Sequence, residues 1–258
     1  MEKKNERRIE SPVGMFDSGV GGISVLREAL RTLPGEQYIF FGDTVNAPYG
    51  TKTKEQVLSL SRQAVELLLD KGCKAIVIAC NTATSAAAAA LRAEYALVPI
   101  IGMEPALKPA SLLHRDGIIL SLATPGTIAG EKYAQLMARY GEGVVSLPCP
   151  GLMEFVEKME MEGPRLDQYL TRLLSPYLGR QVDAVVLGCT HYVFLRPAFS
   201  RFFPGVPLID GNAGTVRQLR RRLEEKKMLN KKCAPGGVQL FSSGGGAAVE
   251  IMRRLLQA

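Results

Sequence analysis

Ala75-Ile76-Val77-Ile78-Ala79-Cys80-Asn81-Thr82 and Ala184-Val185-Val186-Leu187-Gly188-Cys189-Thr190-His191 follow one pattern. An alanine opens a run of three aliphatic residues, a small residue follows, and then come a cysteine and two polar residues. A polar residue precedes each copy, Lys74 in one and Asp183 in the other. A short unbroken apolar run rich in β-branched residues is what a strand buried on both faces of a parallel sheet requires. Each copy therefore predicts a strand that ends just short of a thiol. Open α/β sheets bind ligands in the crevice beyond the carboxyl ends of their strands. Two such strands in matched contexts point to two similar units, each presenting one cysteine to a crevice.

The same rhythm runs outward along the chain. The segments 13–16, 38–41, 99–103, 118–123, 144–147, 206–209 and 238–241 read as further strands, separated mostly by amphipathic stretches. Thr53 and Gln56 form a capping box at the head of one such stretch, which places Val57, Leu60, Ala64 and Leu67 on one face before Gly72 stops it. Alanine-rich 84–90 reads as a helix lying close to a sheet, because alanine is both the best helix former and small. The alternation predicts an α/β fold of mostly parallel sheets with helices covering both faces.

The 258 residues include 32 Lys and Arg against 25 Asp and Glu, a net charge of +7, and 47% are hydrophobic. That content builds a full core and excludes a largely disordered chain. Five cysteines, sparse and odd in number, argue against a disulfide scaffold and suit a reducing, cytoplasmic compartment. With only His114 and His191, and no Cys-x-x-Cys pair, no metal site is expected. No apolar run reaches the length of a membrane span, and the charged stretch 1–8 lacks the apolar segment of a signal peptide. Positive charge gathers in 217–232. Val216, Leu219, Leu223 and Met228 recur there at helical spacing, so the segment reads as a surface helix with a solvated face, and no nucleic-acid partner is expected.

Cys73, Cys149 and Cys233 lack the polar sequel and read as packing or surface residues. A helix beginning soon after Cys80 and after Cys189 would favour the thiolate of each. A disulfide oxidoreductase would set its two cysteines side by side. A cysteine hydrolase would use Cys189 with His191, or Cys80 with Asp17, and leave the other thiol idle. Two thiols on opposite faces of one carbon suit racemisation instead: one takes an α-proton and the other returns a proton to the opposite face. A thiolate is a modest base, so donors around the α-carboxylate must stabilise the carbanion. Three turn-rich segments could supply them. The first, 16–24, is rich in glycine but lacks the Gly-Lys-Ser/Thr of a phosphate cradle, and presents Asp17 and Ser18. The others are 42–50 and 123–127. No lysine occupies a comparable position, so pyridoxal chemistry has no support. His191 would lower the pKa of the nearby Cys189 thiol, whereas Asp17 would raise that of a thiol beside it and fits better as the partner of a substrate ammonium.

Four stretches taken together resemble the glutamate racemases, cofactor-independent enzymes that interconvert L- and D-glutamate. They are Phe16-Asp17-Ser18-Gly19-Val20-Gly21-Gly22, then Gly42-Asp43-Thr44 with Pro48-Tyr49-Gly50, then Ala79-Cys80-Asn81-Thr82-Ala83, and Leu187-Gly188-Cys189-Thr190-His191-Tyr192. The resemblance implies that Cys80 faces the D-enantiomer and Cys189 the L-enantiomer, with Asp17 near the first thiol, His191 near the second and Glu157 its helper. It implies that Asp17, Ser18, Pro48, Tyr49, Gly50, Asn81, Thr82, Thr124, Thr190 and His191 hold the substrate. It also implies an α/β fold of two similar lobes, each a mostly parallel sheet flanked by helices, the second inserted into the first, with the active site in the cleft between them. The division is then a disordered, basic and charged tail over 1–10, a first lobe of 11–106 plus 212–258 with Cys80, and a second of 107–211 with Cys189. No cofactor, a homodimer, and supply of D-glutamate for peptidoglycan are implied as well. An aspartate or other amino-acid racemase remains the alternative. Asn46 and Val193 stand where the family usually has Arg and Pro.

Overall fold

A computed structural model describes residues 9–232 and 234–258. The stretch 1–8 and Cys233 lie outside the described residues. Among the described residues nine strands form two sheets, and every pairing is parallel. The first has the order β4-β3-β1-β2-β9, with β1 at Val13–Asp17, β2 at Tyr38–Gly42, β3 at Ala75–Ile78, β4 at Ile100–Gly102 and β9 at Val238–Ser242. The second has the order β6-β5-β7-β8, with β5 at Ile118–Ala123, β6 at Val144–Pro148, β7 at Val182–Leu187 and β8 at Leu208–Asp210. All nine coincide with the apolar runs of the sequence to within two residues at either end.

In each sheet the chain winds first to one side and then to the other. From β1 it passes to β2 and returns to place β3 on β1's other flank; from β5 it passes to β6 and returns to place β7 on β5's other flank. The crevices where winding reverses thus lie between the ends of β1 and β3, and between the ends of β5 and β7. Ala79 N donates to Phe16 O at 2.8 Å in the first, and Gly188 N to Leu122 O at 2.7 Å in the second. These two bonds fix the backbone immediately before each thiol. A side chain at Gly188 would lie 2.8 Å from Leu122 O, which accounts for the small residue there.

The sheets are not independently cored. One continuous apolar cluster takes Val13, Met15, Phe40 and Val77 from the first sheet and Leu120, Leu122, Val185 and Leu187 from the second. Val216, Leu219, Leu223 and Met228, the apolar stripe of the basic segment, are all buried in it. The outer face of each sheet has its own smaller cluster. On the exposed side of that segment Arg220 pairs with Glu224 at 3.0 Å, and Arg222 with Glu225 at 3.0 Å. An open cavity of about 920 Å³, lined in part by Arg92, Lys108, Lys132, Arg139, Arg217 and Arg222, draws on the same helix. None of its lining residues belongs to the strand-end sequences that carry the thiols.

Two expectations are corrected here. Residues 9 and 10 do not belong to a free tail: Lys74 Nζ donates to Ile9 O, and Lys232 Nζ lies 2.6 Å from Glu10 Oε1. In the helix Lys54–Asp70 the buried face is Val57, Ser61, Ala64, Val65 and Leu68, while Leu60 is half-buried and Leu67 exposed. The stripe therefore lies about one residue further round than hydrophobicity alone places it.

Candidate active site

The end of β1 supplies the hub. Asp17 is fully buried; its Oδ1 accepts Ser18 N at 2.8 Å, and its Oδ2 accepts Gly22 N at 2.6 Å and the Thr190 hydroxyl at 3.4 Å. Burial raises its pKa, against the opposing pull of His191 and of the Gly22 N–H. The glycines of this turn are there for close approach, not for phosphate. A methyl group at Gly19 would fall 2.0 Å from Glu157 Oε1, one at Gly21 2.2 Å from His191 Nδ1, and one at Gly22 2.8 Å from Asp17 Cβ.

On one side of the hub stands Cys80, the N-cap of the helix Asn81–Glu94. Its sulfur accepts Ala83 N at 3.4 Å and lies 3.5 Å from Ser18 Oγ. The expectation that a helix start would leave this thiol easily ionised is corrected by its surroundings. Burial pushes its pKa well up and Asp17 pushes it further, more than Ser18 and the Ala83 N–H offset; the charge of Cys189 adds to the rise. Next to it, Asn81 is buried, and among the described residues neither its Oδ1 nor its Nδ2 has a hydrogen-bond partner. A buried amide left unpaired is costly, so Asn81 keeps both its donor and its acceptor available to a bound molecule. Thr82, Thr124 and Thr127 bring their hydroxyls together across the gap between the sheets, with Thr82 Oγ1 3.0 Å from Thr124 Oγ1.

On the other side stands Cys189. Here the helix that follows is a 3-10 helix, Thr190–Leu195, and Cys189 makes no side-chain cap. Its sulfur has a different companion: His191 Nδ1 at 3.7 Å, with His191 Nε2 2.7 Å from Glu157 Oε1. Glu157 in turn accepts Val20 N at 2.9 Å, which ties it to the glycine turn. Burial opposes a charge on His191, but Cys189 and Glu157 outweigh it and hold the imidazole well above its ordinary pKa of 6.5. Burial likewise opposes the charge of Glu157, and His191 with the Val20 N–H prevails, keeping that carboxyl low. Both directions agree on a charged pair in which Nε2 donates to Glu157 and Nδ1 faces the sulfur. Gly21 N–H, 3.2 Å from Nε2, is then the minor neighbour of that nitrogen.

The loop after β2 reaches over from the first sheet to the second. Gly50 packs on Thr124, and a side chain at Gly126 would lie 2.9 Å from Gly50 O. The Tyr49 ring is buried beside Cys80, yet its hydroxyl donates to Asp43 Oδ2 at 2.7 Å. Asn46 Nδ2 donates to the same carboxylate at 3.0 Å. The phenol is thus committed to Asp43. Asp43 and Thr127 are the functional neighbours that sequence reasoning left without a role. Their signal was present in the 42–50 and 123–127 runs, but nothing in one dimension tells which hydroxyl faces which. Among the described residues no group of three or more His, Cys, Asp or Glu side chains is placed to hold a metal ion.

Two thiols at equivalent strand ends, one beside an acidic turn and the other linked to it through His191, are an arrangement suited to an amino-acid racemase. The description "Asp/Glu/Hydantoin racemase" matches residues 17–219, and the chain belongs to that family. Its similarity is to the glutamate racemases within it. That of Clostridium perfringens (strain SM101 / Type A) is 48% identical over 251 residues, 96% of each chain. The Francisella tularensis glutamate racemase, solved in complex with D-glutamate, has a TM-score of 0.82 at 28% identity, covering 97% of this chain and 95% of that one. The Escherichia coli enzyme, solved with L-glutamate, has a TM-score of 0.82 at 31% identity, covering 96% and 94%.

Proposed function

We propose that this racemase interconverts L- and D-glutamate by two-base proton transfer between Cys80 and Cys189, and so supplies D-glutamate for peptidoglycan. The observation that carries the reading is that both thiols connect to the same turn, Asp17–Gly22: Cys80 Sγ lies 3.5 Å from Ser18 Oγ, and Cys189 is linked to the turn through His191, whose Nδ1 lies 3.7 Å from its sulfur and whose Nε2 lies 3.2 Å from Gly21 N. The division 11–106 with 212–258, and 107–211, gives each lobe one of them.

In the D-to-L direction the Cys80 thiolate takes the α-proton, the electron pair stays on the substrate, and the Cys189 thiol gives its proton to the opposite face. Cys80 ends as thiol and Cys189 as thiolate; the reverse direction exchanges the roles. The charged His191 faces the Cys189 sulfur through Nδ1 and stabilises the thiolate formed there, while Glu157 fixes its other nitrogen. Asp17 receives the substrate ammonium. That cation cancels the carboxylate charge that holds the Cys80 pKa up, so binding itself readies the base. Asn81, Thr82, Thr124 and Thr190 donate to the carboxylates, while Ser18, Pro48, Tyr49 and Gly50 wall the pocket. The four described cysteines are free and buried, and a mechanism needing reduced sulfur suits the cytoplasm. We place the protein there as a homodimer, which light scattering on the purified chain tests.

The decisive experiment follows glutamate in deuterium oxide. Wild type should convert either enantiomer to the racemate with deuterium at Cα, and Cys80→Ser and Cys189→Ser should each fall by roughly a thousandfold, since a serine hydroxyl is a far weaker acid than a thiol. Wild-type rates in both serine variants would overturn the two-base reading. Aspartate assayed alongside separates the alternative substrate.

A further inference from the structure

The Thr124-Pro125-Gly126-Thr127 run holds a third hydroxyl with no part in the proton transfer. Thr82 Oγ1 lies 3.2 Å from Thr127 Oγ1, and Thr124 Oγ1 donates to Thr127 Oγ1 at 2.9 Å. With the 3.0 Å contact between Thr82 and Thr124 these close a ring of three hydroxyls. The Thr127 backbone N–H also donates to Thr124 Oγ1, at 3.2 Å. Thr82 belongs to the helix that starts at Cys80, whereas Thr124 and Thr127 belong to the turn after β5. Thr127 is the most buried of the three, at 2% exposure.

We propose that Thr127 is a positioning residue for the substrate: it holds the Thr82 and Thr124 oxygens so that both can turn their protons to one carboxylate of the bound amino acid. The inference rests on the racemase reading above. Each hydroxyl has one proton to give and two lone pairs to receive with. In the closed ring every proton is spent inside it. For Thr82 and Thr124 both to donate outward, each oxygen must still be held by a donor from behind. Thr127 alone can supply two: its hydroxyl for Thr82 and its backbone N–H for Thr124. Hydrogen bonds to a carboxylate are roughly twice as strong as those between neutral groups, so an arriving carboxylate redirects the two protons. Without the Thr127 hydroxyl, Thr82 loses its rear partner and its aim.

Thr127→Val keeps the shape and removes the hydroxyl, and Thr127→Ser keeps the hydroxyl. Thr127→Val should raise KM for L- and D-glutamate about tenfold, equivalent to about 1.4 kcal/mol, with kcat within about threefold of wild type. Thr127→Ser should return KM to near the wild-type value. A thermal melt checks the fold of each, and Thr127→Ala is read in the same way should the valine variant not fold. An unchanged KM without the hydroxyl, a loss confined to kcat, or a serine variant as impaired as valine would overturn the inference. If wild type itself fails to exchange the α-proton of glutamate, the racemase reading falls instead, and the two failures are told apart by that control.

Discussion

His191 sits where the glycine turn of one sheet touches the active end of the other, and two expectations belong to that contact. Gly21→Ala should push the imidazole off Cys189, since the added methyl would lie within 2.6 Å of three ring atoms. Displacements near 1 Å at a reacting centre can cost about a hundredfold, so kcat should drop by between roughly ten- and a hundredfold in both directions. The second expectation concerns pH. His191 titrates above its ordinary 6.5, so its contribution to stability is full below that pH and is lost as pH rises through the raised value. Glu157 titrates below its ordinary 4.5, so its contribution is full above that pH and is lost on acidification through the lowered value. The stability difference between wild type and Glu157→Gln should therefore be largest between pH 4.5 and 6.5 and shrink on either side, as denaturant titrations across pH will read. The strand-end positions of Cys80 and Cys189 were legible because their local pattern repeats. The partnership of Gly19 and Gly21 with Glu157 and His191 was not, because a missing side chain carries no sign of what fills its space.

The helix Lys54–Asp70 shows what an element reveals and what it hides. Thr53 Oγ1 accepts Gln56 N at 3.3 Å, and Gln56 Oε1 accepts Thr53 N at 3.0 Å. At the other end Gly72 adopts φ of +80°, with Cys73 N donating to Leu68 O at 3.1 Å and Gly72 N to Leu69 O at 2.8 Å. Both ends were readable, since capping depends on a few adjacent residues. The buried face was misplaced by about one residue, because Ser61 is taken inside by its position on the sheet while Leu67 is left out. Thr53→Ala should cost about 1 kcal/mol by loss of the cap, and Gly72→Ala a similar amount from left-handed strain. Neither end touches the thiols, so the thermal midpoint should fall while the kinetic constants hold. The segment after Cys189 was harder to read: its short 3-10 turn precedes the helix Arg196–Phe202, and Thr190-His191-Tyr192 carries no signal that separates the two helix types.

Across the whole molecule, parallel strands buried on both faces gave a legible fold, as unbroken apolar runs do. The core shared between the two sheets was not legible, since no local pattern says which sheet a helix will serve. A buried ion pair shows the same long reach. Lys74 Nζ and Glu36 Oε2 lie 2.6 Å apart with both side chains fully enclosed, and Lys74 also donates to Met228 O at 2.9 Å while Glu36 accepts Asn230 N at 2.8 Å. Four distant segments, including residue 9, meet on one ammonium. Lys74→Met should destabilise by about 3–5 kcal/mol, because it leaves a buried carboxylate without its counter-charge. The double variant Lys74→Met, Glu36→Gln should recover much of the loss, and recovery of none would show that the backbone bonds to Met228 and Ile9 dominate. The two sulfurs of the site, by contrast, live in unlike company: Cys80 with a serine and a carboxylate, Cys189 with an imidazole. Mirror-image substrates have the same free energy, so the ratio kcat/KM must be equal in both directions however different the two proposed bases are. The dissimilarity of the two sides can surface only as unequal kcat values offset by equally unequal KM values, or as different isotope effects on the two proton transfers. An enzyme assembled from two echoing halves is thus held by thermodynamics to a symmetry that its own side chains do not possess.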